Sequence, residues 1–155
     1  MKLMMKHRSL YSIDYDVYDE SDNMVFIVQQ RSLSLADRET LRVCDCNGIG
    51  IGMVKEAALG FGGKYEIYVG GNCVDGLKRD SSAWQTELNF SLARHAWNGF
   101  RDLQGCKIWD QAGQLIITSS RQTALLFSQY EFIIDVVHPE HRLLAVMIEI
   151  ASWYM

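Results

Sequence analysis

His138-Pro139-Glu140-His141-Arg142-Leu143-Leu144-Ala145-Val146-Met147-Ile148-Glu149-Ile150-Ala151 is the stretch on which the fold turns. His138 to His141 read as a turn. Pro139 then starts a helix with Glu140 in its first turn, where the missing proline N–H costs nothing and an acid suits the helix dipole. From Leu143 to Ala151 helical spacing puts apolar residues all round, with Glu149 as the interruption. A helix apolar on every side is either a membrane span or surrounded by protein. The nine positions of this run fall far short of the roughly 18 a span needs. The helix is therefore expected to lie inside whatever precedes it.

What precedes it reads as short strands. Asp14-Tyr15-Asp16-Val17-Tyr18, Lys64-Tyr65-Glu66-Ile67-Tyr68-Val69 and Gln129-Tyr130-Glu131-Phe132-Ile133 alternate polar and apolar residues. Period two puts Tyr65, Ile67 and Val69 on one face and the charges on the other. Turn residues separate such runs at Asp22-Asn23, Asn47-Gly48, Gly70-Gly71-Asn72 and Asp110-Gln111-Ala112-Gly113, which is the hairpin signature. A small residue followed by leucine recurs at Ser9-Leu10, Ser32-Leu33, Ala58-Leu59 and Ala124-Leu125, with Leu35, Phe61 and Phe127 two positions on. The chain thus reads as a meander of hairpins with a weak repeat of about 25 residues, its degraded copy near Ser82-Ala83-Trp84. About twelve strands fit before Asp135. Closed into a barrel, that many strands leave a lumen too wide for side chains alone to fill. A helix about 10 Å across can plug it. The expected fold is mainly β: a closed antiparallel barrel of about twelve strands enclosing the hydrophobic C-terminal helix, as one domain over residues 1–155.

The composition agrees with a single globular domain. Among 155 residues, 48% are apolar and 22% charged, which excludes a disordered chain. The net charge of −4 gives no general attraction to nucleic acid, and no nucleic-acid partner is expected. Cys44, Cys46, Cys73 and Cys106 are too few for a disulfide-framed secreted scaffold. The start lacks the apolar core of a signal peptide, no run is long enough for a transmembrane helix, and Ser152-Trp153-Tyr154-Met155 is not a prenylation box. A cytoplasmic protein with reduced thiols is the expectation, although a disulfide between adjacent strands stays open.

Few residues carry obvious chemistry. His138 and His141 share a helical spacing suited to one metal ion, but Pro139 puts His138 outside the helix and no third and fourth ligands accompany the pair. Cys44-Asp45-Cys46 has no second paired motif, so zinc is not expected. No serine lies in a Gly-x-Ser-x-Gly elbow, and Ser81-Ser82 and Ser119-Ser120 read as solvated strand or loop residues. Gly48, Gly50, Gly52, Gly60, Gly62 and Gly63 are followed by a strand rather than by a helix bearing Lys-Ser/Thr, which favours barrel bends over a phosphate loop. No metal, cofactor or catalytic residue is expected. Lys55, Lys64, Lys78 and Arg79 fall on neighbouring hairpins, with Lys6-His7-Arg8 near the start. Adjacent strands can gather such charges into an anion site, or the charges simply guard strand edges. Trp153-Tyr154 suits either a membrane interface or the cap of a barrel.

Several of these stretches together resemble the LURP-one-related family, whose fold is similar to the tubby C-terminal domain and is shared with phospholipid scramblases. They are the opening Met1-Lys2-Leu3 strand, Tyr18-Asp19 to Val25, Tyr65-Glu66-Ile67-Tyr68-Val69, and Tyr130-Glu131-Phe132-Ile133-Ile134-Asp135 to Leu143-Leu144-Ala145. The resemblance implies a twelve-stranded barrel around a central helix and carries no catalytic signature. Tubby domains bind phosphoinositides, so it also makes anionic phospholipid a candidate ligand for Lys55, Lys64, Lys78 and Arg79. The expectation is a non-enzymatic binding module, cytoplasmic or peripheral to the membrane. Its alternatives are a protein-interaction module or homodimer formed through a strand edge, and a small-molecule enzyme or binder at one end of the barrel.

Overall fold

Twelve strands run in chain order around a closed barrel: β1 (Lys2–His7), β2 (Tyr15–Asp19), β3 (Met24–Arg31), β4 (Thr40–Asp45), β5 (Gly50–Glu56), β6 (Lys64–Val69), β7 (Asn72–Arg79), β8 (Leu88–Leu92), β9 (Trp97–Arg101), β10 (Cys106–Trp109), β11 (Leu115–Thr123) and β12 (Tyr130–Val136). Each strand pairs antiparallel with the next, and β12 returns to β1 with Lys2 opposite Asp135 and Met5 opposite Phe132. This computed structural model describes residues 1–8, 14–31, 40–57, 64–80, 86–123 and 130–154. The Ser-Leu and Ala-Leu pairs of the sequence repeat, with Leu35, Phe61, Phe127 and Ser82-Ala83-Trp84, lie outside the described residues, as do Gly60, Gly62, Gly63 and Ser81.

A repeat is nevertheless visible in the hairpins. In the turns after β2, β4 and β10, Asp19, Asp45 and Asp110 each accept two backbone N–H bonds on Oδ1, from the residues two and four positions on, at 2.9–3.0 Å. The residue three positions on adopts a left-handed backbone in each case: Asp22 (φ 61°), Gly48 (φ 81°) and Gly113 (φ 79°). The β6–β7 hairpin uses Gly70 and Gly71 instead, both with positive φ, the pattern of a two-residue turn matched to strand twist. A register shift precedes each of these four turns, at Val17/Tyr18, Val43/Cys44, Ile67/Tyr68 and Ile108/Trp109. Such bulges bend the strands and help the sheet close.

The four turns, together with that between β8 and β9, lie at one end of the barrel, the hairpin end. There β12 hands the chain to a 3-10 turn (Pro139–His141) and then to α1 (Arg142–Tyr154). Pro139 thus opens a 3-10 turn, and the α-helix begins at Arg142 and runs past Ala151. Every residue of α1 from Leu144 to Ser152 is buried, including Glu149 and Ser152. The wall contributes to the same core from all twelve strands, with Leu3, Val17, Val28, Val43, Ile67 and Leu77 fully excluded from solvent. The helix approaches β5 at Gly52, where an added Cβ would lie 2.8 Å from Met147 Sδ. The apolar helix is therefore enclosed as expected, and the exception to its apolarity, Glu149, is enclosed with it. Among the described residues no helix is long and apolar enough to cross a membrane.

Leu144 is 7% exposed. Leu144→Asp places a carboxylate against this interior at a cost on the order of several kcal/mol, against a typical domain stability of about 5–15 kcal/mol. The expected outcome is an insoluble protein, or one without near-ultraviolet circular dichroism. Truncation after Pro139 should do the same. A truncated chain that unfolds cooperatively in urea would show the helix to be dispensable.

Candidate functional site

The candidate basic residues collect at the end of the barrel opposite the hairpins, where α1 finishes. Lys64 and Lys78 stand directly opposite each other on β6 and β7. Both are exposed, as is Lys55 on β5, which faces Glu66 across the β5–β6 pair. These three lysines project from the outer wall, because their neighbours Val54, Tyr65 and Leu77 point into the core. Arg79 does not join them. It shares the parity of Leu77 and lies opposite buried Phe90, so it belongs to the inner face. The structure thus brings three of the four candidates together and separates Arg79 from them. The hairpin end carries Asp19, Asp22, Asp45, Asp110, Asp135 and Glu140, while Glu56, Glu66 and Asp80 accompany the lysines at the opposite end.

Two inward arginines absent from the sequence reading accompany Arg79. Arg101 ends β9 opposite Leu88 and Cys106, and Arg121 on β11 lies opposite Phe132. The Arg101 and Arg121 guanidinium carbons lie 4.7 and 5.3 Å from the centre of the Trp153 ring, within range of a cation–π attraction. Trp153 also packs against Phe132, with 5.3 Å between ring centres. Its placement matches a barrel cap. Period two along Ile117-Thr118-Ser119-Ser120-Arg121 is the signal that assigns Arg121 to the inner face. Nothing local marks Arg101 as its neighbour.

Glu149 lies one helical turn inside this group. It accepts a bond from Trp153 Nε1 at 2.8 Å and is also hydrogen-bonded to Ser119, whose Oγ accepts the Cys106 N–H at 2.9 Å. Burial raises the Glu149 pKa above its usual value, only partly offset by these bonds and by Arg101. Burial, followed by the Glu149 charge, likewise pushes the Cys106 thiol well up. Burial lowers the Arg101 pKa, and the charge of Arg79 acts in the same direction. All four cysteines are free: Cys44 and Cys106 are buried, Cys73 is half-buried and Cys46 is exposed.

The His138/His141 pair sits at the other end. Their ring centres are 5.7 Å apart, and His141 meets Trp97 edge-on at 4.9 Å. Trp97 in turn contacts His95, whose Nδ1 is 2.6 Å from Asp75 Oδ2. Asp75 is fully buried and also accepts the N–H groups of Gly76, Arg94 and His95. Burial raises its pKa, but the bonds from His95 and these amides outweigh that and hold it low. The group braces the β8–β9 turn against the start of the helix. Among the described residues, no cluster of three or more His, Cys, Asp or Glu could hold a metal ion.

A raised native pKa at Glu149 has a definite sign. Below the ordinary value of 4.5 the group is protonated folded or unfolded. Above it the unfolded chain releases its proton first, so stability falls as pH rises toward the native pKa. Glu149→Gln removes this loss. Urea midpoints should match wild type near pH 4 and equal or exceed it at pH 7. A variant less stable than wild type only at pH 7 would mean that ionised Glu149 is net stabilising.

The sequence matches the LURP-one-related profile over residues 1–151. Among solved structures, a crystallised Arabidopsis thaliana protein superposes with a TM-score of 0.67 at 11% identity, over 99% of this chain and 90% of the other. That likeness is one of fold. No curated protein sequence matches the chain. With a profile match over almost its whole length and the barrel-and-helix architecture in place, the chain belongs to the LURP-one-related family.

Proposed function

We propose that the protein is a non-enzymatic binding module that attaches to anionic phospholipid headgroups through Lys55, Lys64 and Lys78. The observation that carries this reading is the Lys64–Lys78 pair, in register on the outer wall with Lys55 one strand away. Like charges directly opposite each other across two strands destabilise the sheet. An anionic surface relieves that repulsion. Cytoplasmic residence with peripheral attachment follows from this reading, as does a match with the lipid ligands of tubby domains.

A homodimer built by edge-to-edge strand pairing finds less support. β1 and β12 pair with each other, and the closed barrel leaves no free edge among the described strands.

Sedimentation with vesicles tests the proposal. Phosphatidylcholine vesicles containing a phosphoinositide should bring down the protein, pure phosphatidylcholine should not, and added salt should weaken the binding. Changing Lys55, Lys64 and Lys78 together to Ala should weaken it on the order of a hundredfold. Binding indifferent to vesicle charge would remove the lipid reading.

A further inference from the structure

The entry of the central helix is held by few bonds. His138, ahead of the 3-10 turn, makes no side-chain capping bond, and no acid stands in the first turn of α1. The 3-10 turn is closed by backbone bonds from the His141 N–H to His138 and from the Arg142 N–H to Pro139. Two side chains tie this entry to the wall. Arg142 lies over the Phe26 ring at 5.7 Å, and His141 meets Trp97 edge-on at 4.9 Å. Trp97 is 6% exposed and is backed by His95, which is held on buried Asp75.

His141 fits this place in one charge state. Its Nδ1 is buried and without a hydrogen-bond partner. A neutral imidazole leaves one ring nitrogen as a bare lone pair, so it can sit here with no N–H on Nδ1. An imidazolium carries N–H on both nitrogens and must bury one of them without an acceptor, which is costlier. The surrounding charges do not repair this. Glu140, beside it in the turn, favours the cation, whereas His138 on the same turn and His95 across Trp97 oppose it. Burial is the largest influence and holds the His141 pKa below the ordinary 6.5. Asp75 already accepts His95 and three amides, and none of its bonds comes from His141. Asp19, from the turn after β2, acts on Arg142. β5 meets the helix at Gly52 and brings no charge to that contact.

We propose that His141 is a proton-operated latch on the entry of α1. Neutral, its ring holds the first turn against Trp97. Protonated, the ring leaves for water, and the entry loosens while the rest of the helix stays enclosed. The sign follows from the two states. The open form titrates at the ordinary value and the closed form below it, so the latch is closed above pH 6.5 and weakens as pH falls through that value. Glu149 acts in the opposite direction, which keeps the two effects separable.

NMR of the full chain between about pH 8 and pH 5.5, the range in which histidine titrates, tests the latch. Three signals report on it: the His141 ring resonances, the cross-peaks between the His141 and Trp97 rings, and the Arg142 amide. In wild type the cross-peaks should be lost and the amide should shift with the midpoint of the His141 titration, below 6.5. His141→Phe keeps an aromatic edge on Trp97 and cannot take a proton, so the Arg142 amide should lose its pH dependence. His138→Gln, at an exposed position, removes an opposing charge and should move the midpoint upward. That second variant keeps the latch testable if His141→Phe does not fold. Cross-peaks that survive the His141 titration at full strength would overturn the proposal. So would an Arg142 amide that follows the wild-type pH course in His141→Phe, or a midpoint unmoved in His138→Gln.

Discussion

A barrel of twelve strands encloses more room than the side chains of its own wall can occupy. The wall of this protein depends on α1 to fill that room, and α1 depends on the wall to keep its apolar faces from water. Neither half has a stable alternative. Without the helix, Val17, Ile67 and Leu77 would face a cavity, and interiors tolerate few voids larger than a water molecule. Without the wall, a helix of Leu, Val, Met and Ile would be exposed on every side. The close approach of Met147 to Gly52 shows how tightly the two are fitted, since an added methyl group there would overlap the thioether.

Placing the helix on the axis also divides the polar residues. On the inner face, a polar group must find a partner along α1 or on a neighbouring strand. Asp75 does so completely, with four donors at the hairpin end. Glu149 and Ser119 do so around Trp153. Among the described residues, the Nε atoms of Arg79 and Arg101 find none. On the outer wall, water satisfies Lys55, Lys64 and Lys78, and their arrangement matters through charge rather than through hydrogen bonding.

Much of the fold is legible in the chain because it is governed by local rules. Asn47-Gly48 and Gly70-Gly71 mark turns since they supply the positive φ that those turns require. The β8–β9 turn carries no such mark. Its left-handed residue is Ala96 (φ 53°), which local preference disfavours. The turn is held instead by Asp75 of a different hairpin, through Arg94 and His95. Pattern reading along the chain has no access to such a long-range bond.

The candidate site divides in the same way. Lys64 and Lys78 flank one turn, and alternation alone sets both on the outer wall. By itself, the sequence determined a strand-rich domain, its hairpins and an apolar helix that needed enclosure, because spacing of two or 3.6 residues is a property of consecutive positions. The same alternation turns Arg79 inward, and only the tertiary structure decided that Arg101 and Arg121 meet at the ring of Trp153. Those two arginines lie on strands whose relative register is set by barrel closure and by the helix within, and no local spacing records which inward positions share a level of the lumen.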